Sequence, residues 1–238
     1  MRDDTARDAR RLKVVACGVF EPELRELVNE VAPEIDLQML DAGLHAHPHE
    51  LRSQLQQAID DARGEKFDAI VACYGLCGRG TSGIIARDVP VVLLKVHDCI
   101  TLFLGSRSAY REQFSRHPGT FYITPGWYEN KISLDDEDSF DRRTLDGDAD
   151  PRFARWAEQF GDEDARWLQN FYDSWKRNYT RAVYINTLGD TSGEYAEYTR
   201  RLADTMGWEY EEIPGRRDIL RRALSGQWSG DDIVVIRP

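Results

Sequence analysis

Four cysteines carry most of the chemistry this sequence offers: Cys17, Cys73, Cys77 and Cys99. Three of them end or follow apolar, β-branched runs. Cys17 closes LKVVAC, Cys77 lies in the loop YGLCGRG after AIVAC, and Cys99 completes the triplet HDC after VVLLKV. A thiolate is both a nucleophile and a metal ligand, yet a free cysteine with a pKa near about 8.5 needs a metal or a helix N-terminus to ionise at neutral pH. His97 and Cys99 set an imidazole and a thiol two residues apart. Joined by distant cysteines, such a pair suits a zinc site of three protein ligands with one position open. Cys17, Cys77 and Cys99 are therefore the expected thiol ligands, with His45 or His97 as a fourth.

Other residues gather around these. Cys77 is expected just before a short helix, with Arg79 two residues on, so Tyr74, Gly75, Gly78 and Arg79 form a candidate cofactor loop whose amides can meet an anion. The loop matches neither a Walker motif nor GxGxxG. Cys77, His97 and Asp98 are the candidate catalytic residues. Tyr74, Asp98 and Trp127 are candidates for orienting a ligand. Cys73 falls inside a strand and reads as a packed core thiol. His47 and His49 read as solvated loop residues, and Asp190-Thr191-Ser192 as a helix cap. The same three cysteines also suit an iron–sulfur cluster with one iron left for substrate or electron transfer. A non-enzymatic metal or corrinoid carrier is a third reading. A lone Cys77 nucleophile with His97 or His45 as base is a fourth.

The elements that must position these residues follow from periodicity. Strands are expected over Leu12–Ala16, Ile35–Leu40, Ala69–Cys73 and Val91–Val96, alternating with helices from Pro22 and from Pro48. That alternation predicts an α/β fold with a parallel, Rossmann-like sheet in the N-terminal half. Open parallel sheets bind their ligands at the carboxyl ends of the strands, where the cysteines recur. Residues 99–116 are expected to be helical and Thr120–Ile123 a strand. The acidic run 130–150 reads as a surface excursion, and Pro151–Tyr179 as helix. Its stripe of Phe153, Trp156, Phe160, Trp167, Phe171 and Trp175 reads as core packing. Strands near 182–185, 210–213 and 233–236, with intervening helices, complete a second, smaller α/β half. The expected division is 1–128 for the domain with the cysteine site, 129–180 for a helical, acidic middle, and 181–238 for the C-terminal half.

With 238 residues and 41% hydrophobic content, the chain can bury a proper core. Its net charge of −11 argues against nucleic-acid and anionic membrane partners, which require a basic face. No apolar run approaches the roughly 20 residues that span a bilayer, and residues 1–11 are charged, frayed in expectation and unlike a signal peptide. A cytoplasmic setting with reduced thiols is expected.

ACGVFEPEL, LHAHP, YGLCGRG, HDCITLFLGS, FYITPGW and DTSGEY together resemble domain of unknown function family 1638 of bacteria and archaea. The resemblance spans nearly the whole chain. Lys95-Val96 and His47 depart from the pattern, and the three cysteines do not. The resemblance implies that Cys17, His45, Cys77, His97 and Cys99 are shared positions. It also implies a place in one-carbon metabolism, since the family often neighbours corrinoid-dependent methyltransferase systems. A small-molecule or thiol substrate and a corrinoid protein or methyltransferase partner are expected on that basis.

Overall fold

Each apolar run that ends in a candidate residue becomes a strand of one sheet. The computed structural model describes residues 11–31, 33–133, 151–189 and 192–238. The expected frayed terminus, most of the acidic excursion, and Asp190 with Thr191 lie outside the described residues. By its internal contacts the chain forms two units, one comprising the described residues up to Arg111 with Gly215–Pro238, the other Glu112–Pro214.

In the first unit, β1 (Arg11–Cys17), α1 (Glu21–Leu27), β2 (Glu34–Leu40), α2 (Pro48–Asp61), β3 (Ala69–Cys73) and β4 (Val91–Leu94) follow in order. After them come α3 (Cys99–Phe103) and α4 (Arg107–Arg116), the latter running on into the second unit. The sheet order is β2-β1-β3-β4-β8, where β8 is Ile233–Ile236. The first four strands are parallel, and β8 runs antiparallel to β4. Strand β3 and the Val14–Cys17 part of β1 are continuously apolar and buried because parallel sheets are covered on both faces. Val15, Ile70, Ala72 and Val91 meet Leu55 and Ile59 of α2 in one buried cluster.

In the second unit, β5 (Thr120–Ile123), β6 (Arg181–Asn186) and β7 (Glu209–Pro214) form a parallel sheet in that order. Helices α5 (Pro125–Ser133), α6 (Pro151–Phe160), α7 (Asp162–Tyr172) and α8 (Glu194–Met206) accompany it. Ile123, Ala182, Leu202 and Trp208 form its core. Buried Arg181 is held by Thr120, Gln113 and Glu211. The final helix, α9 (Asp218–Leu224), belongs to the first unit, where Arg217 and Arg221 pair with Glu26 and Glu30 beside α1.

The structure departs from expectation in four places. The boundaries fall after Arg111 and Pro214 rather than at 128 and 180, because β8 completes the first sheet instead of extending the second. The described part of the middle segment belongs to the second unit. No helix follows Cys77; residues 77–79 make a single 3-10 turn and the chain continues through turns to β4. Gly78, Gly80 and Gly83 lie within that stretch, and glycine costs a helix about 1 kcal/mol each. The aromatic stripe is not uniformly core: Phe160, Trp167 and Phe171 are at least half exposed, while Trp175 packs against the second core. No helix among the described residues is long and apolar enough to cross a membrane.

Candidate functional site

Going from β1 to β2 the chain moves to one side of the sheet, and to β3 it moves to the other. The order therefore reverses between β1 and β3, and the crevice beyond their carboxyl ends is where such sheets hold ligands. Register fixes what stands there. Cys73 lies opposite Ala16, so Cys17 ends β1 one residue past that pair and Tyr74 leaves β3 at the same edge of the sheet. Cys17 lies opposite Leu40, so Asp41 follows one step beyond it.

The loops after β3 and β4 run in backbone contact. A Cβ on Gly75 would lie 2.7 Å from the Asp98 Cα, so only glycine fits there. Leu76 N–H donates to the Val96 carbonyl at 2.9 Å, and Cys77 N–H to the His97 carbonyl at 3.4 Å. Cys77 is thereby laid against the HDC triplet. Its backbone is unusual: Cys77, Gly78 and Arg79 have φ of 39°, 63° and 71°. Cys77 and Arg79 are the non-glycine residues with positive φ among the described residues, and such outliers gather at functional loops. The Arg52 guanidinium holds the turn by donating to the Arg79 carbonyl at 3.0 Å.

Asp98 does two jobs. One carboxylate oxygen caps α3 by accepting from Thr101 N–H at 3.2 Å, and the other accepts from His97 Nδ1 at 2.8 Å. His97 is exposed and stacks on Tyr110. His45 donates through Nδ1 to the Ala42 carbonyl at 2.6 Å and is also exposed. Both imidazoles thus spend one nitrogen on a local bond and keep Nε2 as the remaining ligand atom.

All four cysteines are free thiols. Burial pushes Cys17 up to about 12, with Cys77 and Asp41 adding to the rise and a backbone bond from Val19 opposing it. Burial also pushes Cys77 up to about 11, with Asp98 adding to it. Cys99 is raised well above the ordinary thiol range by burial, then by Cys77, Cys17 and Asp98. Tyr74 is raised too, by burial first and then by Cys17 and Cys77. The three thiols, the phenol and two carboxylates therefore act on one another electrostatically, and only backbone hydrogen bonds pull the three thiols the other way. The expectation that a helix N-terminus would activate Cys77 is overturned. A thiol raised to about 11 is largely protonated at neutral pH.

Tyr74 is 2% exposed, and its hydroxyl has no hydrogen-bond partner. Cys73, inside β3, is fully buried and pushed up to about 12 by burial. Among the described residues, no set of three or more His, Cys, Asp or Glu side chains is drawn up as a metal-holding group. What the described residues offer there is donor chemistry alone: soft thiols that influence one another beside a phenol with no hydrogen-bond partner. Cys17, Cys77, Cys99, Tyr74 and Asp98 lie within electrostatic reach of one another, whereas His45 and His97 are turned to local bonds. Gly75 serves close approach. Gly78 makes the turn, where an added Cβ would lie 3.1 Å from Pro48 Cγ, and Arg79 is exposed. Sequence reasoning passed over Asp41, which reads as an ordinary turn residue until the strand order sets it beside Cys17. It also passed over Glu23, fully buried in α1 a few residues after Cys17.

An α/β unit with thiols converging at a parallel-sheet switch point is the class that fold and site define. A family model described as protein of unknown function (DUF1638) matches residues 39–224, and the chain belongs to that family. The match takes in Asp41, Tyr74, Cys77 and Cys99 and begins after β1 and Cys17. No curated protein and no solved structure is significantly similar to the chain.

Proposed function

We propose that this protein binds a thiophilic metal ion, zinc in the first instance, through Cys17, Cys77 and Cys99, and serves corrinoid-linked methyl transfer as an enzyme or accessory factor. The observation that carries the metal reading is the convergence of three thiols from three adjacent strand ends, each influencing the others. The link to methyl transfer rests on the family resemblance alone. When bound, the metal would supply a Lewis acid and keep a thiolate available at neutral pH.

The chain's own residues prepare for that charge. Asp41 and Asp98 add negative potential that favours a cation. Gly75 lets the two thiol loops close on each other, and the Asp98 bond to Nδ1 directs His97 to act through Nε2. A small-molecule or thiol substrate would occupy a coordination position that the three thiols leave open. A corrinoid protein or methyltransferase is the partner class, and reduced thiols suit the cytoplasm.

A second reading has its own observation. Neither imidazole is drawn among the thiols, and three cysteines without histidine are the donor set of a cluster with one iron free of protein ligands. Anaerobic purification followed by elemental analysis and absorption spectroscopy decides between them. About one zinc per chain, lost in Cys77→Ala, agrees with the first reading. Iron with broad visible absorption transfers the site to a cluster, and wild-type protein without either element sinks both.

A further inference from the structure

The second unit turns some of its aromatics inward and some outward. Along α7 Ala165 is buried, and Trp175 just beyond the helix packs against the core. On the other side, Trp167 is 63% and Phe171 61% exposed. Their rings stack with centroids 5.6 Å apart and planes within 11°. Large aromatics held side by side in water mark a contact surface.

The charges flanking this pair indicate what covers it. A 3-10 stretch, Asp173–Asn178, continues α7 with helical backbone at the joint. At 3.6 residues per turn along α7 and about 3 beyond it, Glu163, Trp167, Phe171 and Arg177 share one face, within about a quarter turn. Along the axis, Glu163 lies about 12 Å before Phe171 and Arg177 about 12 Å after it. Both are exposed, and neither forms an ion pair among the described residues. Their neighbours Arg166 and Lys176 are instead engaged by Asp162 at 3.9 Å and Asp173 at 2.8 Å. Opposite charges equidistant from an aromatic centre make the face complementary to itself turned end for end. An isologous contact requires that property.

We propose that this face of α7 binds a second copy of the chain, the two helices antiparallel about a two-fold axis at Phe171. Phe171 meets its counterpart, and Glu163 of each copy pairs with Arg177 of the other. Ser174, small and exposed, lies opposite Trp167 and leaves room for the indole. A contact one helix wide falls short of the roughly 800 Å² per partner of a standard interface, so the expected dissociation constant is micromolar.

Sedimentation velocity over a protein concentration series tests this on the full chain. Wild type is expected to pass from monomer to dimer, and Trp167→Ser to remain monomeric with an unchanged circular dichroism spectrum. Glu163→Arg and Arg177→Glu each place like charges together and are expected to weaken the dimer at least about tenfold. The double variant Glu163→Arg/Arg177→Glu restores both pairs and is expected to dimerise within about threefold of wild type. Wild type that stays monomeric overturns the proposal and gives the face to another partner. A dimer indifferent to Trp167→Ser overturns it too, because the copies then meet elsewhere. Failure of the double variant to recover overturns the antiparallel pairing on which the proposal rests.

Discussion

Cys77 holds its thiol on a backbone turned to φ 39°, a region that side chains with a Cβ disfavour and glycine does not. Cys77→Gly is accordingly expected to be more stable than Cys77→Ala by about 1 kcal/mol. Urea denaturation measures this, and equal stabilities would show that the turn carries no strain. Protonation gives a second prediction at the same scale. Cys77 at about 11 labels slowly with iodoacetamide in metal-free protein at neutral pH, and its rate is expected to climb about tenfold per pH unit up to that value. Buried Cys73 has its pKa raised from 9.0 to about 12, so the folded state holds a proton that the unfolded state has lost. Its contribution is complete below pH 9 and declines as pH rises toward 12, by about 1.4 kcal/mol per unit. Unfolding midpoints between pH 8 and 11 are expected to fall accordingly, and less steeply in Cys73→Ala. The three cysteines of the proposed site stand out in the sequence because each ends or follows a β-branched run. Asp41 does not, because an aspartate before Ala-Gly carries the signature of any turn.

The elements that carry the site are short, and their placement depends on contacts between loops. Gly75 is the tightest of these, since any Cβ there would strike the backbone of Asp98. Gly75→Ala is expected to cost about 2–4 kcal/mol and to separate the Cys77 loop from the HDC loop. Denaturation curves report the first effect and faster labelling of Cys99 the second; a variant as stable as wild type with unchanged labelling would show that the loops are not locked together there. Strands β1, β3 and β4 were readable from their apolar runs, and β2 from the alternation of its edge position, with helices between them. Strand β8 was readable as a strand, but IVVI carries no mark of its neighbour or direction. The aromatic stripe of α6 and α7 has helical spacing, and spacing alone cannot tell a face that meets a core from one that meets water.

At the scale of the whole chain, the second unit is an insertion that leaves the first within α4, after Arg111, and returns to it at Gly215. Arg216 N–H donates to the Phe103 carbonyl at 2.8 Å, so the returning chain adjoins the stretch before α4 within the first unit. Replacing residues 112–214 with a short glycine-serine linker is expected to leave a folded α/β unit with the same order of thiol reactivity. Far-ultraviolet circular dichroism and mass-resolved labelling check this, and an unfolded product would mean that the first unit depends on the second. Sequence order hid this arrangement, because two successive runs of strands and helices read most simply as two successive halves. The antiparallel pairing of β8 with β4 also sets a timetable at the ribosome. At about 5–20 residues per second, the interval between synthesis of Leu94 and Ile233 lasts on the order of ten seconds. Throughout that interval the β4 edge of the nascent sheet stands open, so the first unit is closed only as the last strand of the chain emerges.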